Sequence, residues 1–224
     1  MKNILITGAT SFVGINLIKR LYNDNQIIAV IRPNSKGKSK LDQFAKAKII
    51  ECDMGDISSL KSFLDTPIDI AYLLAWRGVR GEDRFNQEIQ ESNYLDTVLT
   101  YKALLALGTR TIMTIGSQAE FGNISKPANI NTEPHPTNAY GFFKLKVFND
   151  LSQLSLTDNV NYKHGRIFSS YGPGDSANTI IAYLISQFLT NKPVDVTKCS
   201  QLWEFIFIDD CVDAIAKIGE FGKN

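Results

Sequence analysis

A doubly wound α/β fold, with a parallel sheet, crossover helices on both faces and a small lobe after it, is predicted by three features of this chain. Short apolar runs alternate with longer helical patterns from the N-terminus to Ile167, the rhythm of βαβ units. Several runs, such as Ile70–Ala75, are apolar throughout, as strands buried on both faces are. The turn Gly8-Ala-Thr-Ser11-Phe-Val-Gly14 joins the first run to the first helical pattern, where a tight strand-to-helix connection needs small residues.

The elements follow in order. Ile4–Thr7 reads as the first strand and Phe12–Tyr22 as the first helix. Glycines between them let the backbone approach a pyrophosphate, whose charge then rests on the amides at the helix N-terminus. Gly8, Thr10, Ser11, Phe12, Val13 and Gly14 are therefore expected to hold a dinucleotide, with Ser11 donating to a phosphate. The second strand, Ile27–Ile31, ends at Arg32. An acidic residue there would select NAD, whereas an arginine pairs with the extra phosphate of NADP. Arg32 thus favours NADP(H) over NAD(H), with Ser35, Lys36 and Lys38 in the following polar loop as helpers. Further strands are expected at Lys48–Glu51, Ile70–Ala75, Thr111–Ile115 and Tyr162–Ile167, and helices at Ile57–Leu64, Glu82–Leu107 and Tyr140–Leu154, the second of these long and amphipathic.

After Tyr171-Gly-Pro-Gly174 the alternation stops. An apolar helix at Thr179–Leu189, a strand at Leu202–Ile208 and a helix capped by Asp209 or Asp210 follow. The expected organisation is a Rossmann domain over residues 1–170 and a partial substrate lobe over 171–224.

Tyr140 and Lys144 stand four residues apart on a predicted helix, so their side chains share a face. A phenol titrates near pH ~10, and a fixed ammonium beside it would favour the ionised form, bringing general acid-base chemistry toward neutral pH.

Composition removes several classes of function. Lys and Arg total 24 against 23 Asp and Glu, a net charge of +1 that leaves no footprint for nucleic acid or an anionic membrane. No apolar run is long enough to cross a bilayer, and the first strand begins so early that no leader is expected, which points to the cytoplasm. Cys52, Cys199 and Cys211 are odd in number and lack metal spacing, so they read as reduced, buried small side chains. His135 and His164 are too few and too separated for a metal site and are assigned to a loop and to the sheet, so no metal is expected.

With the glycine turn at the start, Tyr140 and Lys144 past the middle, and Ile115-Gly-Ser117-Gln-Ala-Glu-Phe-Gly122 between them, the chain resembles the extended short-chain dehydrogenase/reductase family. More narrowly it resembles the nucleotide-sugar branch, the NAD-dependent epimerase/dehydratase group, from Asn3 through Asp210. The resemblance implies that Ser117 hydrogen-bonds the reacting sugar oxygen, that Tyr140 donates or accepts the proton, and that Lys144 binds the nicotinamide ribose while keeping the phenol acidic. It implies that Asp53, with Met54 beside it, meets the adenine amine. Leu74, Ala75 and Trp76 would lie along the cofactor, with Leu73 in place of a common histidine. Asn93 would support the site, and Ile115 and Phe168 count among the cofactor contacts. Gln118, Ala119, Ser169 and Trp203 are the implied substrate contacts, Trp203 standing where many members place an arginine for the substrate diphosphate. Members usually continue for many tens of residues, so this chain resembles a truncated member, with a pocket expected to be open or dependent on a partner. Members often form homodimers through the two long helices, here Glu82–Leu107 and Tyr140–Leu154.

Dehydratases of this group follow the catalytic hydroxyl residue with an Asp-Glu pair. Here Gln118-Ala119 follows Ser117 and Glu120 lies one position too far along, so elimination is disfavoured. The stretches Gly116–Gly122 and Leu74–Gly78 look most like those of nucleotide-sugar 4-ketoreductases. In that reading NADPH reduces the 4-keto group of a nucleoside-diphosphate 4-keto-6-deoxy sugar and Tyr140 supplies the proton. An NAD-dependent nucleotide-sugar 4-epimerase is the alternative, and a non-catalytic dinucleotide-binding regulator the second.

Overall fold

Six strands, β1 (Asn3–Thr7), β2 (Gln26–Ile31), β3 (Lys48–Glu51), β4 (Ile70–Leu73), β5 (Thr111–Ser117) and β6 (Asn161–Ile167), form one sheet in the order β3-β2-β1-β4-β5-β6. Every pairing is parallel. The computed structural model describes residues 1–64 and 66–222, without the side chains of Ser58 and Ser59. Lys223 and Asn224, the last positions of the expected lobe, lie outside the described residues. Strand order reverses between β1 and β4, and in open α/β sheets the crevice at such a switch point, beyond the carboxyl ends of the strands, is where ligands bind.

Strand alternation sorts the core onto the two faces of this sheet. Ile4, Ile6, Ile27, Ala29 and Ile31 face α1 (Phe12–Leu21) and α5 (Ile208–Phe221), meeting Leu17, Ile18, Cys211, Val212 and Ile215. Leu5, Ile28, Val30, Ala71 and Ile112 face α2 (Gln87–Ala106) and α3 (Ala139–Asp158), meeting Tyr101, Leu104, Val147 and Leu151. Apart from the sheet stand a second pair of parallel strands, β7 (Ser170–Tyr171) and β8 (Ile206–Phe207), and the helix α4 (Ile180–Leu189). Although it follows the expected boundary at residue 170, α5 returns to pack on α1 and the sheet.

Several expected elements are corrected. The helix expected at Ile57–Leu64 is a 3-10 stretch, Met54–Phe63, kinked at Asp56, where the backbone is non-helical. The helix expected at Glu82–Leu107 is divided into a 3-10 turn, Gly81–Arg84, and α2, which Asn86 caps by accepting from the Ile89 amide at 3.1 Å. Nor is α2 amphipathic in the expected sense. Its buried stripe contains Gln90, Asn93, Thr97 and Thr100, while Leu95 and Leu99 are exposed. The threonines satisfy their hydroxyls on the Asn93 and Asp96 carbonyls, each at 2.7 Å, which makes a polar stripe tolerable inside. Of the strand expected at Leu202–Ile208 only β8 forms, and α5 opens at Ile208 with Phe207 as its N-cap. Asp209 and Asp210 are not caps but lie in its first turn, where carboxylates suit the helix dipole. Cys52 and Cys211 are buried as expected, but Cys199 is exposed.

Candidate active site

At the nucleotide end, Gly8 has φ +63°, and a Cβ there would come within 2.8 Å of the Ala75 amide nitrogen. The first turn is thereby pressed against the exit of β4, whose Leu74 and Ala75 amides donate to Thr7 Oγ1 at 3.1 and 3.2 Å. A Cβ on Gly14 would lie 2.5 Å from the Gly8 carbonyl oxygen. Two glycines are therefore required by packing alone, and they leave the N-terminus of α1 open to an anion. Ser11 Oγ accepts from the Gly14 amide at 3.0 Å and caps α1, using a lone pair and keeping its O–H to donate. Phe12 and Val13 pack against the core from the first turn of this helix. Thr10 Oγ1 lies 3.1 Å from Ser35 Oγ, which ties the glycine turn to the loop after β2.

That loop divides its cations. Lys38 is paired with Glu51 at 2.6 Å, whereas Arg32 is exposed and has no ion-pair partner among the described residues. Asp53 is exposed and caps the following turn, accepting from the Gly55 amide at 3.0 Å, with Met54 half-buried beside it. The donor set around Gly8, Gly14, Ser11 and Arg32 fits a dinucleotide: open amides at a helix terminus for the pyrophosphate, and an unpaired guanidinium beyond β2 for further phosphate. Asn93 lies on α2. It is buried and holds the Arg77 amide and carbonyl at 2.9 and 2.8 Å, so it braces the loop after β4 from behind.

At the far end of the sheet's crevice, β5 runs to Ser117 before turning through Gln118–Glu120. Ser117 Oγ accepts from the Ala119 amide at 3.2 Å, and the Glu120 carboxylate reaches back to the Ser117 amide at 2.8 Å, a capping box that fixes the turn. Asn138 caps α3 by accepting from the Gly141 amide at 2.9 Å. A side chain on Gly141 would collide with the Ala119 carbonyl oxygen, so glycine lets the first turn of α3 dock on the turn carrying Ser117. Tyr140 and Ser117 line the same cavity there, with the Ser117 side chain close enough to hold down the phenol's proton affinity.

Lys144 shares a face with Tyr140 as the spacing predicts, but its closer partners lie elsewhere. Its buried ammonium donates to the Ile115 carbonyl at 2.7 Å and lies over the Trp76 ring, 3.8 Å from the centroid. It stands 5.8 Å from the Tyr140 ring centroid, whereas the Arg84 guanidinium stands at 4.9 Å. Burial pushes Lys144 down to about 7, against the attraction of Glu120. Burial also raises the Tyr140 phenol above its ordinary range, opposed by the Ser117 hydrogen bond and by Arg84. The ionised phenol expected from the Tyr-Lys spacing is not favoured in this arrangement: desolvation outweighs the Ser117 hydrogen bond and the Arg84 charge and holds the phenol in its protonated form.

Ser117, Gln118 and Tyr140 lie at one side of a cavity of about 420 Å³ bounded by Arg80, Arg84, Phe168, Ser169, Tyr171 and Trp203, among others. Trp203 Nε1 donates to Ser169 Oγ at 2.7 Å, so two of the expected substrate contacts are linked across the cavity. Ala119, the fourth, is buried and serves through its amide. The sequence reading missed the two arginines. Arg80 pairs with the buried Asp175 at 3.3 Å, and Arg84 has a buried Nε with no hydrogen-bond partner among the described residues. Their signal was present in Arg77-Gly-Val-Arg80-Gly-Glu-Asp-Arg84, but a helix was expected to begin at Glu82 and hide it. No group of three or more potential metal ligands occurs among the described residues, and no helix among them is long and apolar enough to cross a membrane.

Comparison with known proteins agrees with this fold. The family model of the NAD dependent epimerase/dehydratase family matches residues 4–224. CDP-abequose synthase of Salmonella muenchen is 27% identical over 100% of this chain and 72% of its own length. The dTDP-6-deoxy-L-talose 4-dehydrogenase (NAD(+)) of Aggregatibacter actinomycetemcomitans is 25% identical over 93% of this chain and 76% of its own. Among solved structures, UDP-N-acetylglucosamine 4-epimerase from Methanobrevibacter ruminantium M1, in complex with UDP-N-acetylmuramic acid, superposes with a TM-score of 0.87 at 21% identity, over 100% of this chain and 74% of that one. UDP-glucuronic acid 4-epimerase from Bacillus cereus, in complex with NAD, does so with a TM-score of 0.81 at 23% identity, over 96% and 71%. The sequence match and the shared six-stranded parallel fold lead to one conclusion: the chain belongs to the NAD dependent epimerase/dehydratase family.

Proposed function

We propose that this chain is an NAD(P)-dependent oxidoreductase that reduces the 4-keto group of a nucleoside-diphosphate 4-keto-6-deoxy sugar. The observation that carries the reading is the Ser117–Tyr140 pair at the wall of a cavity that also presents Arg80 and Arg84. Two guanidinium groups suit a diphosphate, and the indole of Trp203 suits a sugar or base face. They stand in for the arginine that many family members have at position 203.

Gly8, Gly14, the Ser11 hydroxyl and the amides of Thr10, Phe12 and Val13 would hold the pyrophosphate of the dinucleotide, the Ser11 amide being spent on the Gly8 carbonyl. Arg32 and Ser35 would take the 2′-phosphate, Asp53 and Met54 the adenine, and Leu74 to Trp76, Ile115 and Phe168 the other end. The dinucleotide, when bound, supplies the hydride. This chain's part is to place the keto carbon and manage the proton. Ser117 donates a hydrogen bond to the carbonyl oxygen, and the protonated phenol of Tyr140 delivers its proton to that oxygen as negative charge develops there. Burial keeps Tyr140 protonated before the reaction, the state a reductase needs at the start. Lys144, charged on one side of about pH 7 and neutral on the other, would ease the proton's departure through its charge on the same helix face.

A 4-epimerase would use the same side chains with NAD. The Lys38–Glu51 pair favours that reading, because it removes one cation from the place where a 2′-phosphate would sit. Loss of NADPH absorbance on mixing with a 4-keto-6-deoxy nucleotide sugar tests the choice. Interconversion of C4 epimers with no net consumption of NADPH would favour the epimerase, and dinucleotide binding without turnover on either substrate would leave the regulator. The substrate lobe is assigned to residues 168–207, with α5 returned to the nucleotide domain. Homodimerisation through α2 and α3 would cover the exposed Leu95, Leu99 and Phe142.

A further inference from the structure

Behind the Ser117 hydroxyl lies a buried carboxylate that the proton transfer above does not use. The Glu120 side chain is wholly enclosed, and its partners converge from two elements. One oxygen accepts from the Ser117 amide at 2.8 Å, and the other from Arg166 Nε on β6 at 2.6 Å. His164 Nε2, also on β6, reaches both at 3.1 and 3.3 Å. The other ring nitrogen of His164 lies 2.7 Å from Thr114 Oγ1, which lies 2.6 Å from the Tyr162 hydroxyl. Burial lowers the proton affinity of His164, against the pull of Glu120, and leaves the ring neutral. A neutral ring donates from Nε2 to Glu120 and accepts at Nδ1 from Thr114, which in turn accepts from Tyr162. Every hydrogen in this chain points toward the carboxylate. Gly116 completes the arrangement, because the place its Cβ would take is filled by Glu120 Oε1 and His164 Nε2.

We propose that Glu120 is a positioning residue for the proton-transfer pair: clamped by Arg166 and His164, it fixes the Ser117 backbone against Tyr140 and sets its negative charge beside Lys144. The inference rests on the reading of Ser117, Tyr140 and Lys144 given above. A capping box alone needs no charge, since a glutamine would hold the Ser117 amide equally well. The surroundings here are built for a carboxylate, with a guanidinium and an imidazole N–H directed at it and solvent excluded. The charged or titratable groups acting on Lys144 are Glu120 and His164 across the strand ends, with the Tyr140 ring one turn back and Arg84 beyond it. Glu120 favours the Lys144 ammonium, so its removal moves the Lys144 titration to lower pH.

Trp76 offers a readout that needs no substrate, because the Lys144 ammonium lies 3.8 Å from its ring centroid. In a Trp203→Phe background Trp76 is the remaining tryptophan, and its fluorescence is expected to titrate with a midpoint near 7 that disappears in Lys144→Met. Glu120→Gln is expected to lower that midpoint by about one pH unit. In the Trp203-containing enzyme the same change should lower kcat about ten- to a hundredfold, leave KM within about twofold and shift the alkaline limb of the kcat profile to lower pH. Glu120→Asp keeps the charge but shortens the reach to the Ser117 amide, so it should keep the midpoint while lowering kcat about tenfold. An unmoved midpoint in Glu120→Gln, or a wild-type kcat in either variant, overturns the proposal. If the midpoint moves but the parent protein turns over no nucleotide sugar, the electrostatic assignment stands and the proposed reaction falls. Glu120→Asp keeps the test decisive if Glu120→Gln does not fold.

Discussion

The two walls of the cavity are built on different principles. The wall formed by the end of β5 and the start of α3 is held from within: Ser117 by two turn hydrogen bonds, Lys144 by a carbonyl and an indole, Glu120 by three partners. The facing wall, α4 and the segment before β8, is apolar yet scarcely buried. Not one residue of α4 is buried, and Leu202 and Trp203 are 85% and 58% exposed. Among its ties are the short β7–β8 pairing, the Trp203–Ser169 hydrogen bond and the Arg80–Asp175 pair. Groups that must sit within tenths of an ångström of a reacting atom are fixed by internal bonds. A wall that recognises bulk and charge draws its order from whatever lies against it.

Removing the phenol oxygen should break the inner wall's chemistry and nothing else. Tyr140→Phe is expected to lower turnover by about a thousandfold or more while dinucleotide affinity, read by fluorescence titration, stays within about twofold. Retained turnover would sink the assignment. The next largest effect is on stability. Lys144 has a folded-state value near 7 against an ordinary 10.5, so between those pH values the unfolded chain binds more protons and stability rises with pH. The cost of burying this ammonium is full below about pH 7 and disappears above about 10.5. Lys144→Met should therefore raise the midpoint of thermal unfolding, by the equivalent of a few kcal/mol at pH 7 or below, with the gain shrinking toward pH 10. A gain independent of pH would show that the lysine is solvated in the free protein.

At the nucleotide edge, which is exposed like the outer wall, Arg32→Asp should shift the ratio of NADPH to NADH dissociation constants by about tenfold or more toward NADH. An unchanged ratio would remove Arg32 from cofactor choice. The smallest effect belongs to the outer wall itself. Trp203→Ala is expected to raise KM about five- to tenfold with kcat nearly constant, the mark of binding shared equally by ground and transition states. A fall in kcat as large as that of Tyr140→Phe would erase the distinction between the walls.

The sheet was legible because its strands are apolar runs with little ambiguity of period, and all six appear near their expected places. The glycine turn was legible for a steric reason, since few other residues fit where Gly8 and Gly14 lie. Less legible were elements decided by polar side chains. The break before Asn86 turned on a cap, and the inner face of α2 turned on threonines that bond to their own helix. The outer lobe was over-read as strand because Leu202 to Ile208 is apolar, although apolar character without a partner strand fixes no conformation.

By itself the sequence determined the architecture and the glycine turn and pointed to Ser117, Tyr140 and Lys144 as candidates, since period, steric need and residue type are all written locally. Only the tertiary structure decided what those groups face. Lys144 turned out to meet Trp76 and Ile115 more closely than the phenol, and Glu120, first noted for not being an elimination acid, turned out to lie between Ser117 and two side chains of β6. Proton affinity depends on burial and on neighbours distant in sequence, and spacing along one helix carries neither.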